Sequence, residues 1–317
     1  MAKAGYETVG IDVYSAVQGE SVYVDTSYGR VHVLVSGDTT KPACVTYHEV
    51  GVNSRTCFQG FFSASEPKKS LLLQSYCFYH FDYPGCEAEG GKEATAPSGA
   101  GAPVDGPTLE QASLQVGEAM KQLGIKGALG MGVGAGAYVL GKTSLAFPNL
   151  LSALVLFSPC CKKGTWWEYT YGKVLLNCLW YYGWSSRFAH RHLYERLFSS
   201  KIVESEGYGV PDLLYTFNQE VERIDPRAIA RYLQAVLARE DVVEELKGLK
   251  TRVLLFSCMD SIYNKESLEL NLKIDHTRAD YIEVFDSGTL VTEQLPQVTL
   301  GPIDQFVKML HQRGLCR

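Results

Sequence analysis

The sequence predicts an α/β fold, a mostly parallel sheet flanked by helices and interrupted by a helical cap insertion. Three observations predict it. Short apolar runs at 43–48, 150–157 and 252–256 read as buried strands, and helical patterns separate the later ones. Residues 126–143 pass from strand to Gly-rich turn to helix without a break. From Cys160 to about Glu245 strand signals vanish and aromatics crowd in, after which the strand pattern resumes. The organisation expected is an irregular arm over 1–19, a core formed by 20–159 and 246–317, and a helical cap over 160–245.

Taken in order, Val22–Asp25 and Val31–Val35 alternate around Tyr28-Gly29 and read as a hairpin. Residues 43–48 form the next strand, and Glu49-Val50-Gly51 opens a loop into the Phe58–Phe62 region. A strand over 75–81 closes in the turn Asp82-Tyr83-Pro84-Gly85. The Gly-, Ala- and Pro-rich stretch 86–107 lacks the apolar residues to offset its ordering entropy and reads as a flexible loop. Thr108 caps a helix ended by Gly124. After the cap, whose last clear amphipathic helix is Arg227–Arg239, the pattern gives a strand at 252–256, a helix at 265–274 and a strand at 280–285. A terminal helix is expected over Pro302–Gln312, with the proline in its first turn.

Composition narrows the function. A net charge of −5 with no basic stripe argues against a general nucleic-acid binder. The start Met1-Ala2-Lys3-Ala4-Gly5 has no apolar region of a signal peptide and no glycine for myristoylation, and Leu315-Cys316-Arg317 is no prenylation box. Leu150–Phe157 and Val174–Trp184 are too short or broken to span a bilayer, which leaves peripheral membrane association open. Nine cysteines without a C-x-x-C pair read as free thiols, so a cytoplasmic protein with no metal site is expected.

The chemistry turns on Gly132-Val133-Gly134-Ala135-Gly136. The strand–turn–helix context is that of the nucleophile elbow G-x-S-x-G of α/β-hydrolases, but the central residue is Gly134. Glycine accepts the backbone geometry and supplies no nucleophile. In the order of such a triad, Asp260 follows a strand in the acid position, and Thr289 stands where the histidine belongs. Asp260 is therefore expected to cap the following helix. A displaced site would draw on His48 with Ser158 or Cys160, all at strand ends. Two nucleotide motifs overlap the turn. Gly132-x-Gly134-x-x-Ala137 lacks the downstream acid of a dinucleotide site, and Gly136–Thr143 matches a P-loop expression although Lys142 and Thr143 should lie well inside a helix.

Thr46–Asn53, Gly132–Ala137, Trp166–Lys173 and Gly288–Pro296 together resemble the NDRG (N-myc downstream-regulated) family, most closely its plant members, over about Val31–Gln312. The resemblance implies an α/β-hydrolase fold with a helical cap, no hydrolase activity and no cofactor. It further implies a signalling or trafficking adaptor, with the heterotrimeric G-protein βγ dimer as partner and a place in stress or hormone responses. Three readings follow. The first is a pseudoenzyme that docks proteins through the cap aromatics Trp166, Trp167, Tyr169 and Tyr171 or through the helix after Gly134. The second is a small-molecule binder or residual hydrolase with a pocket among His48, Glu49, Gly134, Ala135, Asp260 and Thr289. The third is a nucleotide binder using Gly136–Thr143.

Overall fold

A computed structural model describes residues 8–9, 17–64, 70–87, 106–205 and 212–315. Its strands are β1 (Thr8–Val9), β2 (Glu20–Thr26), β3 (Gly29–Ser36), β4 (Ala43–Tyr47), β5 (Cys77–Phe81), β6 (Ala128–Val133), β7 (Leu151–Phe157), β8 (Arg252–Cys258) and β9 (Ala279–Val284). They form one sheet in the order β1-β2-β3-β5-β4-β6-β7-β8-β9. The first three pairings are antiparallel, and every pairing from β5 to β9 is parallel. The central strands β4, β6 and β7 are apolar on both faces because helices cover both.

Outside the cap lie α1 (Ser54–Ala64), α2 (Leu71–Ser75), α3 (Leu109–Gln122), α4 (Ala135–Ala146), α10 (Val243–Leu246), α11 (Asn264–Lys273), α12 (Val291–Gln294) and α13 (Pro296–Gln312). Between β7 and β8 run α5 (Trp166–Tyr182), α6 (Arg187–Leu197), α7 (Ser200–Ser205), α8 (Asp212–Val221) and α9 (Pro226–Leu237). Local signals set several of these ends. Thr108 and Gln111 make a reciprocal capping box on α3. Asp225 caps α9 with Pro226 behind it, and Ile229, Tyr232, Leu233 and Val236 bury its inner face.

Four expectations change. In the arm expected to be irregular, Thr8–Val9 pairs with Val22 and Ser21 along the free edge of β2; residues 1–7 and 10–16 lie outside the described residues. Most of the Gly- and Ala-rich loop, 88–105, lies outside them too. The loop expected to lead into Phe58–Phe62 is largely helix α1. Asn53 and Thr56 start it by exchanging backbone and side-chain hydrogen bonds of 2.9 Å. The terminal helix begins at Pro296, a turn and a half before the expected start, and carries Pro302 in its interior. Burial of Thr299 and Ile303 on the face shared with Phe306 and Leu310 holds the helix together across the missing N–H of Pro302. Finally, α11 has Tyr263 at its N-cap position and no side-chain cap, so Asp260 does not cap it.

The segment 288–296 laces the molecule together. Thr292 Oγ1 donates to Cys57 O at 2.5 Å, and the partly buried Glu293 carboxyl accepts from Gly60 N at 2.8 and 2.9 Å. Gln294 Oε1 accepts from Ser199 N and Gly288 N, both at 3.0 Å. Its Nε2 donates to Ser199 Oγ and Asp286 O. One short run of side chains thereby fixes α1, the α6–α7 junction and the loop after β9 to each other.

Candidate functional site

The strand order reverses between β4 and β6, and their carboxyl ends deliver Glu49 and Gly134 to the same point. Gly134 turns the chain into α4 with φ +54° and ψ −111°, a conformation that favours glycine. Gly136 is required for approach, since a Cβ there would lie 2.2 Å from Tyr47 O. The elbow backbone is complete, and its free N–H groups open the helix as an anion cradle.

The cradle is already filled. Glu49 Oε2 accepts from Ala135 N at 2.5 Å, and a Cβ built on Gly134 would sit 1.6 Å from that same oxygen. The other oxygen, Oε1, accepts from Tyr263 OH at 3.3 Å and lies 3.9 Å from Arg196 Nη2. Arg196 in turn donates to Tyr263 OH at 2.6 Å. Burial raises the Glu49 carboxyl to about 7 against the opposing pull of Arg196 and the Ala135 and Val50 N–H groups.

That shift has a consequence for stability. A carboxyl that holds its proton more tightly when folded contributes fully below its unfolded pKa, and its contribution falls as pH rises toward the folded value. Between pH 4.5 and pH 7 the expected loss is on the order of 3 kcal/mol. Urea unfolding at both pH values checks this. Glu49→Gln should flatten that part of the slope while keeping an acceptor for Ala135 N; an unchanged slope refutes the assignment.

His48 is not disposed as a base. Its Nε2 accepts from Tyr83 N at 2.9 Å and its Nδ1 donates to Glu49 O at 2.8 Å, so both nitrogens are committed. Burial lowers its pKa despite Asp82 nearby. Tyr232 from α9 donates to His48 O at 2.8 Å and stacks on Tyr83 at 4.2 Å, closing the cap over this corner. Ser158 Oγ accepts from Cys258 N at 3.2 Å, and burial pushes the Cys160 thiol well up, away from thiolate. Both His48 nitrogens are thus bonded to groups other than Ser158 and Cys160. The described cysteines are free thiols.

The pocket expected among six residues is thus not assembled as one. Glu49, Gly134 and Ala135 meet, with the Glu49 side chain standing over the turn and His48 turned toward Tyr83. Thr289 is buried and hydrogen-bonded to Ser261 Oγ at 2.8 Å. Asp260 is exposed on the wall of a separate cleft beside Arg191 and Glu204. Lys142 and Thr143 lie inside α4. Lys142 pairs with Glu245 at 2.7 Å, and Thr143 Oγ1 donates to Ser113 O and Val139 O, which leaves no phosphate cradle around them. Among the described residues no group of three His, Cys, Asp or Glu side chains could hold a metal ion, and no helix is long and apolar enough to cross a membrane.

The four cap aromatics are exposed on α5, with Trp166 at 67% and Trp167 at 63%. Tyr181 and Tyr182 extend the apolar surface to the far end of the helix, while Gly172, Leu175 and Leu179 form its buried face. What sequence reasoning missed is the charged joint beneath: Arg196, Glu168, Arg239 and Glu266. Arg239 donates to Glu168 at 2.9 and 3.0 Å and to Glu266 at 3.1 Å. Glu266 also accepts from the Cys161 and Lys162 N–H groups at 2.7 Å each. The one local signal was Glu168, a charge among the aromatics of 166–171; Arg196, Arg239 and Glu266 sit among other charged residues and do not stand out.

Comparison with known proteins agrees with this geometry. Among solved structures, a thermophilic esterase from Thermogutta terrifontis superposes with a TM-score of 0.71 at 15% identity, covering 92% of this chain and 99% of its own. The enol-lactonase from Burkholderia xenovorans gives 0.70 at 16% identity, covering 90% and 99%. The fold is therefore that of the α/β-hydrolases. Protein NDL3 of Arabidopsis thaliana is 33% identical over 288 residues, 91% of this chain and 80% of its own. Pollen-specific protein SF21 of Helianthus annuus is 31% identical over 299 residues, 94% and 82%. The Ndr family model matches residues 21–311, and the chain belongs to that family.

Proposed function

We propose that this chain is a non-catalytic α/β-hydrolase-fold protein that acts as an intracellular signalling or trafficking adaptor, docking partners on the outward face of α5. The observation that carries the reading is Glu49. Its carboxylate occupies the space a nucleophile side chain on Gly134 would need, and it takes up the Ala135 N–H that would otherwise serve an oxyanion. With Thr289 bonded to Ser261, neither a hydroxyl nor a base is presented at the elbow. Exposed Trp and Tyr are the residue types that dominate binding energy at interfaces, and α5 displays them along its length. Membership of the Ndr family and the likeness to plant NDL proteins support an adaptor role, with the G-protein βγ dimer as the partner to try first.

Two measurements test the reading. Purified, folded protein treated with a fluorophosphonate probe should remain unlabelled; labelling at a single activated serine overturns the non-catalytic part. Binding to an immobilised βγ dimer should weaken at least about tenfold in Trp166→Ala/Trp167→Ala, the loss of one or two anchor residues. Equal binding by the variant removes α5 as the docking face.

A further inference from the structure

A cavity of about 590 Å³ lies between the cap and the core, distinct from the elbow. Leu175 and Tyr171 of α5 line it on the cap side, and Ile262 closes it on the core side. Its size falls in the range of small-molecule sites, and Tyr171, Leu175 and Ile262 give it an apolar patch within a lining that is otherwise mostly charged. The charges around it are unequal in their engagement. Each acid on the wall has a partner: Glu168 and Glu266 hold Arg239, Glu269 holds Lys162 at 2.6 Å, and Glu195 holds Arg191 at 2.9 Å. The cations are not all answered. Lys163 and Lys265 have no ion-pair partner among the described residues, and the buried Nε of Arg196 has no hydrogen-bond acceptor. The Nη atoms of Arg196 face Glu168 at 3.8 Å and Glu49 at 3.9 Å, so the unanswered groups are its Nε–H and the two ammonium groups, and a buried N–H without an acceptor is costly.

We infer that this cavity is a binding site for a small organic carboxylate with an apolar body, the carboxylate on the Arg196 side toward Lys163 and Lys265 and the body against Leu175, Tyr171 and Ile262. The open Nε–H of Arg196 and the two ammonium groups suit a carboxylate, and Leu175, Tyr171 and Ile262 favour one that carries an apolar body. This site shares Tyr171 with the aromatic face of α5 but does not depend on Trp166 or Trp167, nor on whether the elbow is catalytic.

The test is calorimetric titration of the full chain with octanoate and 3-phenylpropanoate beside the matched alcohols, octan-1-ol and 3-phenylpropan-1-ol. At least one carboxylate should bind one-to-one with a dissociation constant below about 1 mM, and its alcohol about tenfold more weakly. Lys163→Glu/Lys265→Glu, both at exposed positions, should weaken the carboxylate by about tenfold or more. Ile262→Trp, which fills the entrance from a half-exposed position, should abolish binding, whereas Tyr181→Ala/Tyr182→Ala at the far end of α5 should leave it unchanged. The inference is overturned by saturable binding of neither carboxylate, by equal binding of acid and alcohol, or by binding that survives Ile262→Trp in a folded variant.

Discussion

Replacing Gly134 by Ser is expected to unfold part of the population rather than create an enzyme. The new Cβ would fall 1.6 Å from Glu49 Oε2, on a residue whose φ is +54°. Left-handed backbone costs a non-glycine residue roughly 1–2 kcal/mol, and forcing extra atoms into packed space costs about 1–3 kcal/mol more. A loss of about 2–5 kcal/mol in denaturant unfolding is the predicted result, with no fluorophosphonate labelling even when Thr289→His is added. Combining Gly134→Ser with Glu49→Ala should cost less than the sum of the two single changes, because the clash needs both partners. Strict additivity, or labelling of the introduced serine in the Gly134→Ser single variant, would show that Glu49 does not stand over the turn.

The second large effect is expected at Arg239. Its side chain is fully buried and holds Glu168 of α5 and Glu266 of α11 together. Removing it as Arg239→Ala leaves two carboxylates in a poorly solvated joint, and breaking a buried ion pair from one side typically costs about 3–5 kcal/mol. Glu266 also ties down the N–H groups of Cys161 and Lys162, so the loss should spread to the start of the cap. Hydrogen exchange should quicken over 161–172 before it quickens in β6 or β7. Arg239→Lys should recover little, since one ammonium cannot span both acids as the planar fork does. By contrast, Arg239→Met with Glu168→Gln and Glu266→Gln should recover most of the stability, because no charge is left unpaired. A single Arg239→Ala that costs less than about 1 kcal/mol would mean the joint is wet and loose.

The parts of the fold that were legible share one property: their signals are local. The capping box of Thr108 and Gln111, the turn at Gly29 and the glycine run from strand to helix each act within a few residues. Pro302 misled because proline is usually a starter; here tertiary burial of Thr299 and Ile303 on one face outweighs the missing hydrogen bond. The candidate site was legible only in outline. Gly134 and Thr289 stood in the sequence as residues without the needed chemistry. That Glu49 fills the space was not legible, because its contact with Ala135 spans 86 residues and nothing near Glu49 announces it. The same distance hides Arg196, which meets Tyr263 across 67 residues. Asp260 was placed correctly at the end of β8, but a cap depends on side-chain direction, which strand position does not specify.

The seated Glu49 also bears on descent. A lineage carrying this arrangement that gained a serine at 134 first would meet a clash. One that lost the carboxylate first would leave an empty cradle and an arginine with Glu168 as its remaining counter-ion. Each single change is therefore expected to cost stability, and the double change to cost less than their sum. The seated carboxylate thus couples positions 49 and 134, so that neither is expected to change without the other.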